Sequence, residues 1–309
     1  MKIFVSGGAG FIGSHVTELF CNEGHEVIVF DNLSFGYREF VDKRAKFING
    51  SLADKALLEK NLAGVDAVIH LAASSIISRS FRNPIEYIQN NVLYAANLLE
   101  AMRKNGVKKI INSSSASVYG EPVRVPIKES DLKRPVTIYG STKLAFEEIL
   151  GSYYYSFGIE SVSLRYFNAY GPRDAQQPAT RAVPIWFKAI LQNQGIPLYW
   201  EGKQLRDYVY AGDIAQAHLD VLNLKGLHIY NIGSGKGILM KDLLKQIENA
   251  AGKKANVVQK GKREGDPMKL LADTSLIKKE VGWVPKVRLE DGLQKTYEYY
   301  KLNRKNFKN

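Results

Sequence analysis

The chain has 309 residues, 45% hydrophobic and 24% charged, an ordinary globular balance with room for two modest domains. No apolar run approaches the roughly 18 residues of a membrane span, and the opening MKIFVSGG reads as a strand rather than a secretory leader. The formal net charge of +12 is scattered along the sequence, without zinc-finger spacing or an arginine-rich arm, so no nucleic-acid partner is expected.

In chain order, KIFVSGG, HEVIVFDN, KFING, AVIHLAA and KKIINSS read as short strands rich in Val, Ile and Phe. Between them GSHVTELFCNEG, DKALLEKNLAG and NNVLYAANLLEAMRKNG read as helices, each closing on glycine. The single cysteine, Cys21, falls in the first of these helices; with no disulfide partner it points to a cytoplasmic protein. Strands alternating with helices imply βαβ units and a parallel sheet covered on both faces. The expected fold is therefore α/β, a Rossmann-type doubly wound sheet. A further helix, TIYGSTKLAFEEILGSYYYSFG, leads into the strand SVSLRYF.

From Asn168 the pattern loosens. GPRDAQQPATRAVP reads as a loop with three prolines, IPLYWEG, RDYVYAGD and LHIYNIGS as strands, and DIAQAHLDVL and LMKDLLKQIENAAG as helices. The end of the chain reads as a small mixed region closing on YYKLNRKNFKN, a solvated basic helix end. The expected division is a dinucleotide-binding domain over 1–167, to which 206–234 returns. A smaller mixed α/β domain would take 168–205 and 235–309, leaving a cleft between the two.

GGAGFIG puts Gly7, Gly10 and Gly13 at the first strand–helix junction. There glycines permit the tight turn, the approach of a pyrophosphate and close helix packing, and the helix N-terminus offers N–H groups to phosphate. Asp31, at the end of the second strand, is placed for the adenosine ribose hydroxyls of NAD. In YGSTK, Tyr139 and Lys143 stand four apart on one helix and share a face. A tyrosine near its usual pKa of about 10 is a poor base at neutral pH. A neighbouring ammonium and a cationic nicotinamide are expected to favour the phenolate. His70, in AVIHLAA, has no second ligand at useful spacing, so no metal site is expected.

In order and spacing, GGAGFIG, HLAA, SSSASVYG, YGSTK and RYFNAYGPR, followed by RDYVYAGDIAQA, NIGSG and REGDP, resemble the extended short-chain dehydrogenases/reductases, specifically their NAD-dependent epimerase/dehydratase group. The resemblance spans nearly the whole chain. It implies a catalytic trio of Ser115, Tyr139 and Lys143 and places NAD against Phe11, Ile12, Asn32, Ser34 and Gly36. Leu52, Leu71, Ala72 and Ala73 follow on the next two strand ends, then Asn90, Ser113, Ser114 and Tyr166.

For the substrate, the resemblance implies Arg206, Arg263 and Asn168 on a nucleotide diphosphate and Asp266 on the uridine ribose. It sets Leu198, Tyr199 and Trp200 at the uracil, with Ser117 and Val183 beside the substrate. Related dehydratases carry an Asp-Glu pair where this chain has Ala116 and Ser117, so elimination of water has no evident catalyst. Two family contacts to NAD are replaced by Ser51 and Ser75, and Leu270 occupies a position that varies with the size of the sugar substituent.

The implied activity is inversion of C4 in UDP-glucose and UDP-galactose through a 4-keto sugar, with tightly held NAD. The same trio would serve an epimerase of UDP-N-acetylhexosamines or UDP-uronates, or a UDP-glucuronate decarboxylase. Non-catalytic NAD- or RNA-binding relatives commonly lose the trio, which this chain keeps whole. The resemblance further implies a homodimer, formed by packing the helices of NNVLYAANLLEAM and GSYYYSFG.

Overall fold

A strand with apolar residues on both faces must be covered on both, and Ile3, Phe4 and Val5 of β1 (Lys2–Ser6) have no exposed surface. The computed structural model describes residues 1–174, 180–261 and 267–303. After β1 come α1 (Phe11–Asn22), β2 (Glu26–Asp31), β3 (Lys46–Asn49), α2 (Lys55–Asn61) and β4 (Ala67–His70). Two short helices, α3 (Ile77–Arg82) and α4 (Pro84–Ile88), lead through a π-helical turn at Gln89–Leu93 into α5 (Tyr94–Lys104). Next stand β5 (Lys109–Ser115), α6 (Ile138–Phe157), β6 (Glu160–Tyr166), β7 (Asn168–Tyr170), α7 (Ala182–Gln192) and β8 (Gly195–Tyr199). β9 (Leu205–Tyr210), α8 (Ala211–Asp220), β10 (Leu227–Ile232), β11 (Gly237–Leu239), α9 (Met240–Ala251), β12 (Asn256–Lys260), α10 (Ser275–Val281) and α11 (Leu289–Leu302) complete the chain.

The main sheet has the order β10-β6-β5-β4-β1-β2-β3, and every pairing in it is parallel. Side chains alternate across it. Ile3, Val5, Val27 and Val29 pack under α1 and α8, whereas Phe4, Ile28 and Phe30 pack under α5 and α6. Each fully buried side chain of this size contributes about 1.5–3 kcal/mol. A separate core gathers Trp186 and Phe187 of α7, Leu243 and Ile247 of α9, and Leu293 and Tyr300 of α11. It lies with the small sheets β11-β9-β7 and β12-β8. No helix among the described residues is long and apolar enough to cross a membrane.

The six strands expected up to Phe167 form as read. Of the segment 206–234, α8 and β10 return to the main sheet, whereas β9 pairs with β7 and β11. The stretch read as a three-proline loop ends in a helix: Pro184 is the third residue of α7, in the first turn, where its missing N–H has no intrahelical partner to lose. The motif carboxylates Asp207 and Asp213 are structural. Asp207 has no exposed surface and accepts from Ser234 N (2.6 Å), Ser234 Oγ (2.6 Å), Gly235 N (3.0 Å) and Ala272 N (3.1 Å). Asp213 accepts from Lys286 N and Val287 N, both at 3.1 Å.

Candidate active site

The glycine loop closes on β4. Gly7 has a φ of 76°, open to glycine at no steric cost, and a Cβ there would lie 2.5 Å from Ala72 N. At Gly13 a Cβ would strike the Gly7 carbonyl oxygen, whereas at Gly10 it would meet only that oxygen, at 3.3 Å. The space above Gly10 is thus open where a pyrophosphate would approach. No side chain caps α1, so its first-turn N–H groups face that space.

Asp31 is 8% exposed and accepts from Ala9 N (3.0 Å) and Leu33 N (2.8 Å). Burial raises its pKa, and these two hydrogen bonds pull it back. Asp31 therefore both fixes the glycine loop and keeps a second lone pair on each oxygen for a ribose hydroxyl. Loop, uncapped helix and carboxylate together fit NAD.

One cleft of about 440 Å³ runs from Gly7, Gly10, Phe11, Ile12 and Gly13 past Leu71 and Ala73 to the serine strand. There β5 ends and a 3₁₀ turn begins, and Ser115 Oγ accepts from Ser117 N at 3.1 Å. Ser113, Ser115 and Ser117 line the cleft together with Tyr139, Lys143 and Tyr166. Asn168, Val183, Leu198, Tyr199 and Arg206 complete the same wall. Arg206 is 5% exposed and donates from Nη1 to Leu205 O (2.8 Å) and Met268 O (3.4 Å).

α6 starts where Thr137 Oγ1 accepts from Gly140 N at 3.0 Å, which fixes the helical register of Tyr139 and Lys143. Lys143 Nζ donates to Ser113 O at 2.6 Å and lies 6.0 Å from the centre of the Tyr139 ring. Burial lowers the Lys143 pKa to about 8, against the charge of Glu147. The Tyr139 phenol is pushed above its ordinary value by burial, and a hydrogen bond with Ser115 and the Arg181 charge pull it back in part. In the protein by itself desolvation is the larger effect, so the phenolate expected beside Lys143 depends also on the cationic nicotinamide.

Several residues expected at the cofactor have side-chain partners within the protein. Asn32 and Ser34 engage each other, Asn32 Oδ1 accepting from Ser34 N (3.1 Å) and from its hydroxyl. Gly36 packs against Ala9, so this turn braces the glycine loop, and its neighbours Phe35 and Tyr37 line the cleft. Leu52 is a core residue under β2 and β3, and Ala72 abuts Gly7 from behind. Asn90 Nδ2 donates to Ser74 Oγ at 2.9 Å. Ser114 also lines the cleft, but it is 1% exposed and its hydroxyl donates to Glu147 at 2.5 Å. Trp200 does not line the cleft: its φ of 52° turns the chain out of β8. Arg263 and Asp266 lie outside the described residues.

The structure adds groups that the sequence did not signal. Arg181, at the start of α7, pairs with Asp174 and sits 5.3 Å over the Phe11 ring, bringing a cation to the Tyr139 end of the cleft. Tyr166 hydrogen-bonds His218 Nε2 at 2.8 Å, while His218 Nδ1 meets Ile214 O at 2.9 Å. A carbonyl only accepts, so the proton sits on Nδ1, and Tyr166 O–H donates to Nε2. His70 likewise is a packed histidine, its Nδ1 2.8 Å from Ser6 Oγ and its pKa lowered to about 3 by burial and the Lys143 charge.

With a parallel sheet beneath it, this geometry belongs to a dinucleotide-dependent enzyme that works on an alcohol or ketone. The chain belongs to the NAD dependent epimerase/dehydratase family, whose sequence profile matches residues 3–233. It is 37% identical to UDP-glucose 4-epimerase of Lacticaseibacillus casei over 306 residues, covering 92% of each chain. Its structure is similar to that of Thermotoga maritima UDP-glucose 4-epimerase with UDP-glucose, at 36% identity, a TM-score of 0.95 and coverage of 98% and 100%. It is also similar to UDP-N-acetylglucosamine 4-epimerase of Methanobrevibacter ruminantium, at 33% identity, a TM-score of 0.93 and coverage of 97% and 98%.

Proposed function

We propose that the protein interconverts UDP-galactose and UDP-glucose by inverting C4. The observation that carries this reading is the convergence of Ser115, Tyr139 and Lys143 with Arg206 and Tyr199 in one cleft over the glycine loop. When bound, NAD supplies the hydride acceptor and donor for C4.

The chain's own groups do the rest. Tyr139 Oη takes the 4-hydroxyl proton and later returns it, Ser115 orients that hydroxyl, and Lys143 holds the charge beside the phenol. Arg206 grips the diphosphate, for which a permanently charged fork is apt. Inversion needs a tight hold on UDP and a loose hold on the hexose. Near Ser115 the cleft continues with Ser117, Gly120, Val136 and Leu270, none of which binds a hexose through charge. Arg206→Ala is accordingly expected to raise KM by about tenfold to a hundredfold, as loss of a charge-assisted hydrogen bond worth ~1.5–3 kcal/mol implies, with kcat changing by less than about threefold. A fall in kcat at constant KM would move Arg206 out of the binding role.

Two arrangements belong to the same proposal. Residues 1–167, with α8 and β10 of the segment 206–234, serve the dinucleotide, and β9 with the remainder serves the nucleotide sugar, in a cytoplasmic setting. The chain forms a homodimer through the helices of NNVLYAANLLEAM and GSYYYSFG, which leave Leu93 55% and Tyr155 81% exposed; a monomer mass in sedimentation would exclude it.

The direct test is to incubate the purified protein with UDP-galactose, adding no cofactor, and separate the products by chromatography. UDP-glucose is the expected product. If none forms even with NAD supplied, the reading fails for this sugar. Turnover of UDP-N-acetylglucosamine would then assign the second activity found among similar structures.

A further inference from the structure

Behind the serine wall lies a polar network that the proposed chemistry does not use. Glu147 stands one turn beyond Lys143 on α6. Its Oε1 accepts from Ser114 Oγ (2.5 Å) and Arg165 Nε (3.0 Å), and its Oε2 from Arg165 Nη2 (2.6 Å). The two side chains are 2% and 1% exposed. Arg165 Nη1 also donates to Tyr119 Oη (2.8 Å) and Glu129 O (3.2 Å), and Tyr119 Oη donates to Asn231 Oδ1 (2.7 Å).

A buried ion pair of this kind is seldom a net gain in stability over apolar residues of the same volume, so its position is informative. Glu147 holds Ser114, while Lys143 donates to the carbonyl of the adjacent Ser113. Two side chains a turn apart on α6 thus grasp neighbouring residues of β5.

We propose that the Glu147–Arg165 ion pair is a positioning device that sets the charge balance of Tyr139 and Lys143. Glu147 is the anion that sustains the Lys143 ammonium, and Arg165 limits how much of that charge Lys143 feels. This rests on the reading of Tyr139 and Lys143 given above.

The groups facing Tyr139 and Lys143 come from several elements. α6 contributes Glu147, and β4 contributes His70, buried and neutral. β5 contributes the Ser113 carbonyl, and β6 contributes Tyr166, whose phenol is raised by burial. Arg181 at the start of α7 acts on Tyr139, and Tyr87 of α4 lies within its field.

The sign of each perturbation follows. Glu147→Gln leaves Arg165 as an uncompensated cation, so Tyr139 and Lys143 both release protons more readily and the profile of kcat against pH moves acidward. Arg165→Met leaves Glu147 as an uncompensated anion and moves both limbs alkaline. Shifts of roughly one pH unit are expected for an uncompensated buried charge one helical turn from Lys143, and the double variant should return the limbs to the wild-type position.

A second readout needs no turnover: phenolate absorbance titrated against Tyr139→Phe as reference. Opposite shifts in the two single variants establish the device. If titration shifts while no sugar is epimerised, the device stands and the assigned activity fails. Limbs that stay in place while stability falls overturn the device alone. Should the single variants not fold, Ser114→Ala keeps both charges and removes one donor from Glu147. It is expected to move the limbs alkaline by a few tenths of a unit, and unmoved limbs would overturn the proposal.

Discussion

Replacing Tyr139 by phenylalanine is expected to lower kcat for UDP-galactose by about 10²–10⁴-fold, the usual worth of a positioned general acid–base group, and to leave KM nearly unchanged. The ring stays and only Oη goes. Lys143 keeps its hydrogen bond to the Ser113 carbonyl, 2.6 Å away, so the wall behind the tyrosine has no reason to move. The diphosphate is held by Arg206 on β9, a different element of the cleft. Steady-state kinetics with a melting curve on the same sample separate chemistry from folding. A Tyr139→Phe enzyme with full activity would remove the tyrosine from the mechanism and with it the proposed proton path.

The glycine loop supports a second large effect, because two of its glycines fail for different reasons. Gly10→Ala puts a methyl group into open space beside the Gly7 carbonyl oxygen, 3.3 Å away, and its φ of −80° suits alanine. The melting temperature of the NAD-free protein should hardly move. The methyl fills the space where the pyrophosphate would approach, so retained NAD and activity should be lost. Gly13→Ala instead drives its methyl into the Gly7 carbonyl oxygen, a backbone atom in a turn pinned to β4. Overpacking of that kind costs about 1–3 kcal/mol, which for a protein of this size lowers Tm by roughly 2–10 °C, and NAD is lost as well. Nucleotide released on denaturation, measured beside Tm, distinguishes the two. Retention of NAD by Gly10→Ala would contradict the assigned pyrophosphate position.

How far these features were legible in the sequence depends on their range. The first six strands were readable because each is a β-branched or aromatic run ended by small or polar residues, a local signal. The glycine loop, Asp31 and the Tyr139–Lys143 pair were readable for the same reason, their spacing lying within one turn or one βαβ unit. α7 was hidden because a proline that breaks a helix interior is harmless in its first turn. Trp200 looked like a neighbour of Tyr199 in the cleft, but the left-handed backbone there, φ of 52°, is not announced by a tryptophan. Leu52 has its side chain in the core, a placement that its position in the sequence does not announce. The Glu147–Arg165 pair joins residues 18 apart on different elements, and no local pattern marks it. The height of the Tyr139 pKa depends on burial that only the packed structure defines.

The path of the chain between the two cores has one more consequence. It leaves the main sheet after β6, builds β7 to β9, returns for α8 and β10, and leaves again for β11. α10 then brings Ile277 and the neighbouring Trp283 back to the first core, before α11 joins the third cluster. The halves are therefore stitched together rather than strung in series. A fragment cut after β6 would expose a bare sheet edge where β10 belongs, an invitation to aggregation, so neither half is a module that recombination or truncation can transplant. The walls of the cleft are tethered by repeated crossings, and their spacing is inherited from the fold as a whole.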